Sequence, residues 1–166
     1  ELDISNLEAD VALRPWEASQ NDVIQRKLMT VSQHLYASPA YLERAGIPQS
    51  LADLDTGHEF IAYGPKKVAP IPKLNWALSV GRPEGARPRE AVIEASTINA
   101  MMTATEAGLG VCGLPDYVAR TNPGLSRVLP DIDGPPFEFF FLYPEELKGS
   151  RRVSAFREFL LDEVRA

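Results

Sequence analysis

The chain has 166 residues, a formal net charge of −6 and 45% hydrophobic residues, a balance typical of a soluble globular protein with one domain or two small lobes. No apolar run approaches the roughly 20 residues that span a bilayer, which excludes a membrane protein, and the scattered basic residues disfavour direct DNA contact. The single cysteine, Cys112, excludes an internal disulfide and favours a reducing compartment, and the acidic segment Glu1–Asp10 resembles no signal peptide.

Short apolar runs alternate with helical patterns, which indicates an α/β protein. A short helix is predicted where Ser38 can cap the first turn and Pro39 needs no amide partner, and Gly46 is expected to end it in a left-handed cap. The strands predicted before and after this helix are Ala9–Leu13, Val23–Ala37 with a bend near Thr30, and His58–Tyr63.

The second half begins with a proline-rich loop, Gly64–Pro72, and a segment in which Leu74, Trp76, Leu78 and Val80 alternate. This alternation predicts a strand over Leu74–Val80. The elements predicted after it are the strand Ala91–Ala95, a helix from the cap Ser96 to about Ala107, the strand Leu109–Leu114, a helical turn from Pro115, the strands Leu125–Leu129 and Phe137–Tyr143, and a final helix capped by Ser150.

Helix starts that follow strands form the candidate binding site. They occur at Ser38, at Ser96 with Thr97 beside it, and at Leu114-Pro115. In a parallel sheet, ligands bind outside the carboxyl ends of the strands, and each helix start presents unpaired amides and a partial positive charge. Two or three converging starts predict a small anion pocket without a metal or a catalytic base, with the Thr97 hydroxyl pointing outward. Serine is also the commonest cap, so a purely structural role for each serine stays open.

Segments throughout the chain resemble the effector domains of LysR-type transcriptional regulators. In chain order they are Ala9–Arg14, Leu35–Leu42, Asn99–Pro115, Leu125–Pro130, Leu142–Pro144 and Val153–Leu160. In this order and at these distances, the segments span nearly the whole chain, from Ala9 to Leu160.

The resemblance implies an α/β fold of the type 2 periplasmic binding protein kind, with two lobes and an effector in the cleft. Residues 1–29 and 126–166 are expected in the first lobe, and residues 30–125 in the second. The family's opening strand and helix have no counterpart here, so the first lobe is expected to be incomplete, with an exposed sheet edge. The positions that the resemblance places in the cleft are Arg14, Pro15, Ser38, Ile61, Ala62, Tyr63, Ser96, Thr97 and Leu114.

The implied function is that of a cytoplasmic, non-enzymatic sensor without a cofactor, which binds a small anionic effector. The family also implies homodimers, tetramers of the full protein, and DNA contact only through a helix-turn-helix outside this chain. A solute-binding protein of a transporter is an alternative with the same fold, and it requires an export signal upstream. An enzyme requires a convergent nucleophile or base, whereas Cys112 lies in an apolar run and His34 and His58 are too far apart to suggest a metal site.

Overall fold

The computed structural model describes residues 9–18, 22–64 and 71–164. Residues 1–8 of the acidic segment and residues 65–70 of the proline-rich loop lie outside these ranges. The strands are β1 Ala12–Arg14, β2 Val23–Val31, β3 Gln33–Ala37, β4 Phe60–Tyr63, β5 Ala91–Ala95, β6 Val111–Pro115, β7 Ser126–Val128 and β8 Phe137–Pro144. The α-helices are α1 Pro39–Ala45, α2 Ile98–Glu106, α3 Asp116–Ala119 and α4 Arg151–Glu163. No helix among the described residues is long and apolar enough to cross a membrane.

The chain divides into two compact units, of which the first contains residues 1–30 and 137–166 and the second residues 31–136. β7, which the sequence analysis assigned to the first lobe, pairs with β3 within the second unit. The chain therefore returns to the first unit only after residue 136.

The first unit is built around β8, the central strand of a sheet with the order β1-β8-β2. Phe140 and Leu142 form an apolar cluster on one face of this strand, whereas Phe141 and Tyr143 pack with Val153 of α4 on the other. Both faces of β8 are thus covered by apolar side chains. The predicted cap of the last helix is confirmed, since the Ser150 hydroxyl accepts a hydrogen bond from the Val153 amide.

The second unit contains a five-stranded sheet with the order β5-β4-β6-β3-β7. β4 runs parallel to β5 and β6, whereas β3 runs antiparallel to β6 and β7. Every residue of β3, β4 and β6 is buried, as expected for strands covered on both faces.

The start of α1 follows the prediction. Ser38 caps the helix by accepting a hydrogen bond from the Tyr41 amide, and Pro39 is its first residue. Gly46 ends the helix with its amide bonded to the Leu42 carbonyl, and its φ of 89° favours glycine. Its ψ of 162° lies outside the left-handed helical region, so the predicted left-handed cap is wrong.

The strand predicted over Leu74–Val80 is wrong, because the segment forms turns and a 3-10 helix at Trp76–Leu78. An alternating pattern indicates a strand when one face meets solvent, but Trp76, Ala77 and Leu78 are all buried. The Trp76 indole lies so close to β6 that a Cβ on Gly113 would be 2.7 Å from its Nε1. The segment therefore packs against one face of the sheet and is itself buried.

Candidate functional site

Three parallel strands of the second sheet end at the same place. β4 ends at Tyr63, β5 at Ala95 and β6 at Pro115, and Tyr63 is in register with Ala95. β3 begins there, because Gln33 is in register with Pro115. We call this edge of the second sheet the carboxyl end.

Ser38 lies at the opposite end of the sheet. Because β3 is antiparallel to β6, its last residues run toward the beginning of β6, with Tyr36 in register with Cys112. The Ser38 side chain is 2% exposed, and its hydroxyl caps α1. The expected convergence of Ser38 with Ser96 is therefore wrong, and the structure supports a purely structural cap at this position.

The start of α2 lies at the carboxyl end, but its cap is Thr97. The Thr97 Oγ1 accepts a hydrogen bond from the Ala100 amide at 3.1 Å, so the predictions that Ser96 caps this helix and that the Thr97 hydroxyl points outward are both wrong. Ser96 sits one residue before the cap and is exposed. Its hydroxyl is the more accessible of the two for a ligand, since Thr97 already uses an oxygen lone pair within the helix.

The end of β4 is fixed by one side chain from the segment that replaces the predicted strand. The Asn75 carboxamide accepts a hydrogen bond from the Tyr63 amide and donates one to the Tyr63 carbonyl, both at 2.8 Å. The next amide, of Gly64, donates to the Ala95 carbonyl of β5 at 3.1 Å. The two Asn75 bonds fix the end of β4, and the Gly64 bond joins it to the end of β5.

Several predicted site residues are packed in the core. Ile61, Ala62 and Leu114 are 2%, 1% and 0% exposed, which leaves them almost no surface for a ligand. Tyr63 is 8% exposed and lies directly at the carboxyl end. Of the predicted residues in the second unit, the structure therefore brings together Tyr63, Ser96 and Thr97 at one edge.

Arg14 and Pro15 lie in the first unit. Arg14 is the last residue of β1, is paired in register with Phe140 of β8, and is 9% exposed. Pro15 follows directly, so the strand predicted over Ala9–Leu13 is shorter in the structure, Ala12–Arg14, and ends one residue later.

A buried histidine at the carboxyl end was not singled out as functional by the sequence. His34 is 5% exposed, its Nδ1 lies 2.5 Å from Asp116 Oδ1, and its Nε2 lies 2.8 Å from Asp133 Oδ1. The Tyr36 hydroxyl also donates to Asp116 Oδ1, at 3.0 Å. Burial, followed by this hydrogen bond and the charge of Asp116, raises the pKa of Tyr36 to about 12. The two carboxylates are 82 and 99 residues from His34, so no local pattern could have indicated the cluster.

Cys112 has the environment of an inert thiol. It is 0% exposed in β6, and burial raises its pKa to about 12 against a smaller lowering effect of Thr105. A thiol is a poor nucleophile without its thiolate form. Among residues 9–18, 22–64 and 71–164 the structure shows no group of three or more His, Cys, Asp or Glu residues placed to hold a metal ion.

Comparison with known sequences identifies related proteins along the whole chain. The family described as "LysR substrate binding domain" matches residues 2–165. The uncharacterised HTH-type transcriptional regulator YhjC of Escherichia coli is 29% identical over 170 residues, which cover 96% of this chain and 53% of that protein. An uncharacterised HTH-type transcriptional regulator of Haemophilus influenzae is 30% identical over 147 residues, covering 86% of this chain and 49% of that protein. The chain thus spans about half the length of the curated relatives it matches.

Solved structures share the fold. The regulatory domain of CrgA from Neisseria meningitidis aligns with a TM-score of 0.77 at 24% identity, over 95% of this chain and 76% of that one. The regulatory domain of AphB from Vibrio vulnificus aligns with a TM-score of 0.69 at 22% identity, over 98% of this chain and 78% of that one. The predicted two-lobed α/β fold class is confirmed by these likenesses.

Proposed function

Because the chain belongs to the family of LysR substrate-binding domains, we propose that it senses a small effector and controls a DNA-binding module elsewhere in a longer protein. The match over residues 2–165 is the observation that carries this proposal. The relatives are HTH-type transcriptional regulators by name, which favours sensing in the cytoplasm over catalysis or solute transport.

We place the effector at the carboxyl end of the second sheet, against Tyr63, Ser96 and the first turn of α2. Three features support this position: parallel strands end together there, Ser96 is exposed, and α2 is nine residues long. The first amides of such a helix carry a partial positive charge of about half a unit, which favours a carboxylate. The effector is accordingly a small anion.

The effector controls transcription by binding two arrangements of the regulator with different affinities, since a ligand that binds both equally shifts nothing. The working form is a homodimer, which assembles into a tetramer in the full protein. These oligomers are what the resemblance to LysR-type regulators implies for a member of this family.

The site is tested by Ser96→Ala, which removes a hydroxyl without touching the Thr97 cap. The melting temperature of the chain is measured with increasing sodium benzoate and sodium succinate, an aromatic and an aliphatic carboxylate. We expect at least one of them to stabilise the unaltered chain, because a ligand that binds only the folded state raises its stability. Ser96→Ala is expected to lower the affinity for the carboxylate about tenfold, which corresponds to the loss of one hydrogen bond to a charged group.

Ser154→Ala, an exposed position in α4, is the matched control and is expected to leave binding unchanged. Equal affinities of Ser96→Ala and Ser154→Ala contradict the site. Failure of both carboxylates to stabilise the unaltered chain contradicts an effector of this class.

A further inference from the structure

A pocket in the second unit lies at the end of the sheet where β4 and β5 begin, opposite to the carboxyl end. Its volume is about 350 Å³, and its charged and polar lining consists of Asp55, His58, Arg82, Arg87, Arg89 and Glu90. The three arginines come from the Gly- and Pro-rich turn before β5, which the sensing function does not use. We call this cavity the arginine pocket.

Arg89 is a fixed part of the wall. It is 8% exposed, its Nε donates to Asp55 Oδ1 at 2.9 Å, and its Nη1 donates to the carbonyls of Ala77 and Val80 at 3.1 and 2.8 Å. Its guanidinium also lies over the Phe60 ring, 5.4 Å from the centroid. These contacts place a buried positive charge in the pocket and hold it there.

Arg82 is held less completely. It donates from Nη1 to the Arg87 carbonyl at 2.6 Å, and its Nε lies 3.5 Å from Asp55 Oδ1, the oxygen that Arg89 already uses. A guanidinium has five N–H donors, so these contacts leave Arg82 with capacity for a further acceptor. Its side chain is 30% exposed, which makes that capacity accessible.

The pocket is positive in a negative chain. Arg82, Arg87 and Arg89 face two carboxylates, Asp55 and Glu90, which leaves an excess of one positive charge, whereas the chain carries −6. The Arg87 side chain is 84% exposed and its Nη2 donates to Glu90 Oε1, so its other N–H groups remain available to a further acceptor. A cluster with an excess of positive charge attracts counter-ions of the opposite sign.

His58 adds a neutral donor. The Tyr41 hydroxyl accepts a hydrogen bond from the Glu59 amide at 2.8 Å, so its own hydrogen is available to His58 Nδ1, 3.3 Å away. When Nδ1 accepts this hydrogen, the neutral imidazole carries its own proton on Nε2. Burial lowers the pKa of His58, against a smaller raising effect of Asp53. At neutral pH the ring is therefore uncharged and can still donate one hydrogen bond.

We propose that the arginine pocket binds a phosphate group, free or carried by a small metabolite, with Arg82 and Arg87 as its ligands and His58 as an additional donor. The planar fork of arginine matches two oxygens of a phosphate, which a compact ammonium does not. The pocket volume lies within the range of small-molecule sites, about 300 to 1,000 Å³. The site is independent of the proposed effector site, because it lies at the opposite end of the sheet.

The test is titration of the chain with sodium phosphate at pH 7.5 by calorimetry, with ionic strength held constant by sodium chloride. We expect saturable binding, weakened at least tenfold by Arg82→Gln and by Arg87→Gln. Arg26→Gln, at an exposed position in β2, is the control with the same change in charge. Arg82→Lys keeps the charge but lacks the planar guanidinium, so it is expected to bind phosphate with intermediate affinity. This variant tests the role of Arg82 even if Arg82→Gln does not fold. Glycerol 3-phosphate is titrated in parallel. Binding tighter than that of free phosphate indicates a phosphorylated metabolite as the ligand.

A second readout follows the His58 ring by NMR. A bound dianion favours the charged imidazole, so a phosphate concentration that saturates the unaltered chain is expected to raise the pKa of His58 there, and to raise it less in Arg82→Gln, which binds phosphate more weakly. The proposal is overturned if phosphate acts no differently from chloride at equal ionic strength, or if Arg82→Gln binds phosphate as Arg26→Gln does. It is equally overturned if phosphate binds while the titration of His58 stays the same.

Discussion

His34 Nε2 lies 2.8 Å from Asp133 Oδ1, although 99 residues separate them in the chain. His34 stands near the beginning of the second unit and Asp133 near its end. The backbone repeats this connection, because the Gly134 amide donates to the Gln33 carbonyl at 2.8 Å and the Gln33 side chain donates to the Pro135 carbonyl at 2.7 Å. The two ends of the unit are thus joined by side-chain and main-chain bonds.

We predict that His34→Ala destabilises the protein by about 2 to 4 kcal/mol, since it removes two hydrogen bonds to carboxylates from a buried position. Asp133→Asn is expected to cost less than about 1 kcal/mol, because the Asp133 side chain is 77% exposed. Urea unfolding followed by circular dichroism measures both values. If Asp133→Asn lowers the free energy of unfolding as much as His34→Ala does, the larger effect expected from the buried position of His34 is contradicted.

We predict that Thr97→Ala lowers the free energy of unfolding by about 1 kcal/mol, the usual cost of a lost helix cap. Thr97→Ser keeps the oxygen that accepts from Ala100 and is expected to restore most of this stability. Ser96→Ala serves as the neighbouring control, because the cap does not use Ser96. Equal losses at 96 and 97 in chemical denaturation contradict the assignment of Thr97 as the cap.

Asn75→Ala is expected to destabilise the protein by about 1 to 3 kcal/mol, because it removes two hydrogen bonds and leaves the Tyr63 amide and carbonyl without these partners. Asn99→Ala, at an exposed position of α2, is the matched control and is expected to change stability by less than about 0.5 kcal/mol. Hydrogen exchange of the Tyr63 amide provides the local measurement. Unchanged protection of this amide in Asn75→Ala disagrees with the role given to Asn75.

Alkaline pH is predicted to destabilise the fold through Cys112 and Tyr36. The pKa of Cys112 rises from 9.0 to about 12 by burial, and that of Tyr36 from 10.0 to about 12. The folded state therefore favours the neutral forms of both groups. Their contribution to the free energy of unfolding is fully present below about pH 9 and declines as the pH rises toward 12. Melting temperatures measured between pH 8 and 11 test this direction. Cys112→Ser and Tyr36→Phe are each expected to show a smaller decline in melting temperature than the unaltered chain. A thiol reagent at pH 8.5 is expected to label Cys112 only after unfolding.

The sequence predicted those elements whose signals are local. Ser38 with Pro39 marks the start of α1, and the run Ala91–Ala95 is a strand in the structure as well. The resemblance of several segments to one family predicted the two-lobed α/β class. This class cannot be recognised from any single short segment of the chain. Local signals failed at Leu74–Val80, where a period of two does not distinguish a half-exposed strand from a wholly buried turn segment.

The candidate site was predicted less well, because strand direction depends on non-local pairing. A strand followed by a serine and a helix looks the same in the sequence at Ser38 and at Ser96, but β3 is antiparallel to β6 and carries Ser38 to the far end of the sheet. The contacts of His34 with Asp116 and Asp133 are equally non-local, and they arise from the fold itself. Residue types at helix starts could therefore be predicted, whereas their convergence could not.

The bond between Gln33 and Gly134 has a consequence for protein engineering. A segment whose ends lie close together, as Gln33 and Gly134 do near the ends of residues 31–136, can be joined head to tail by a short linker, with a small loss of chain entropy. New termini could then be opened at an exposed turn such as residues 84–86. The stretch 31–136 is thus suited to circular permutation, and to transfer as a cassette into the surface loop of another protein.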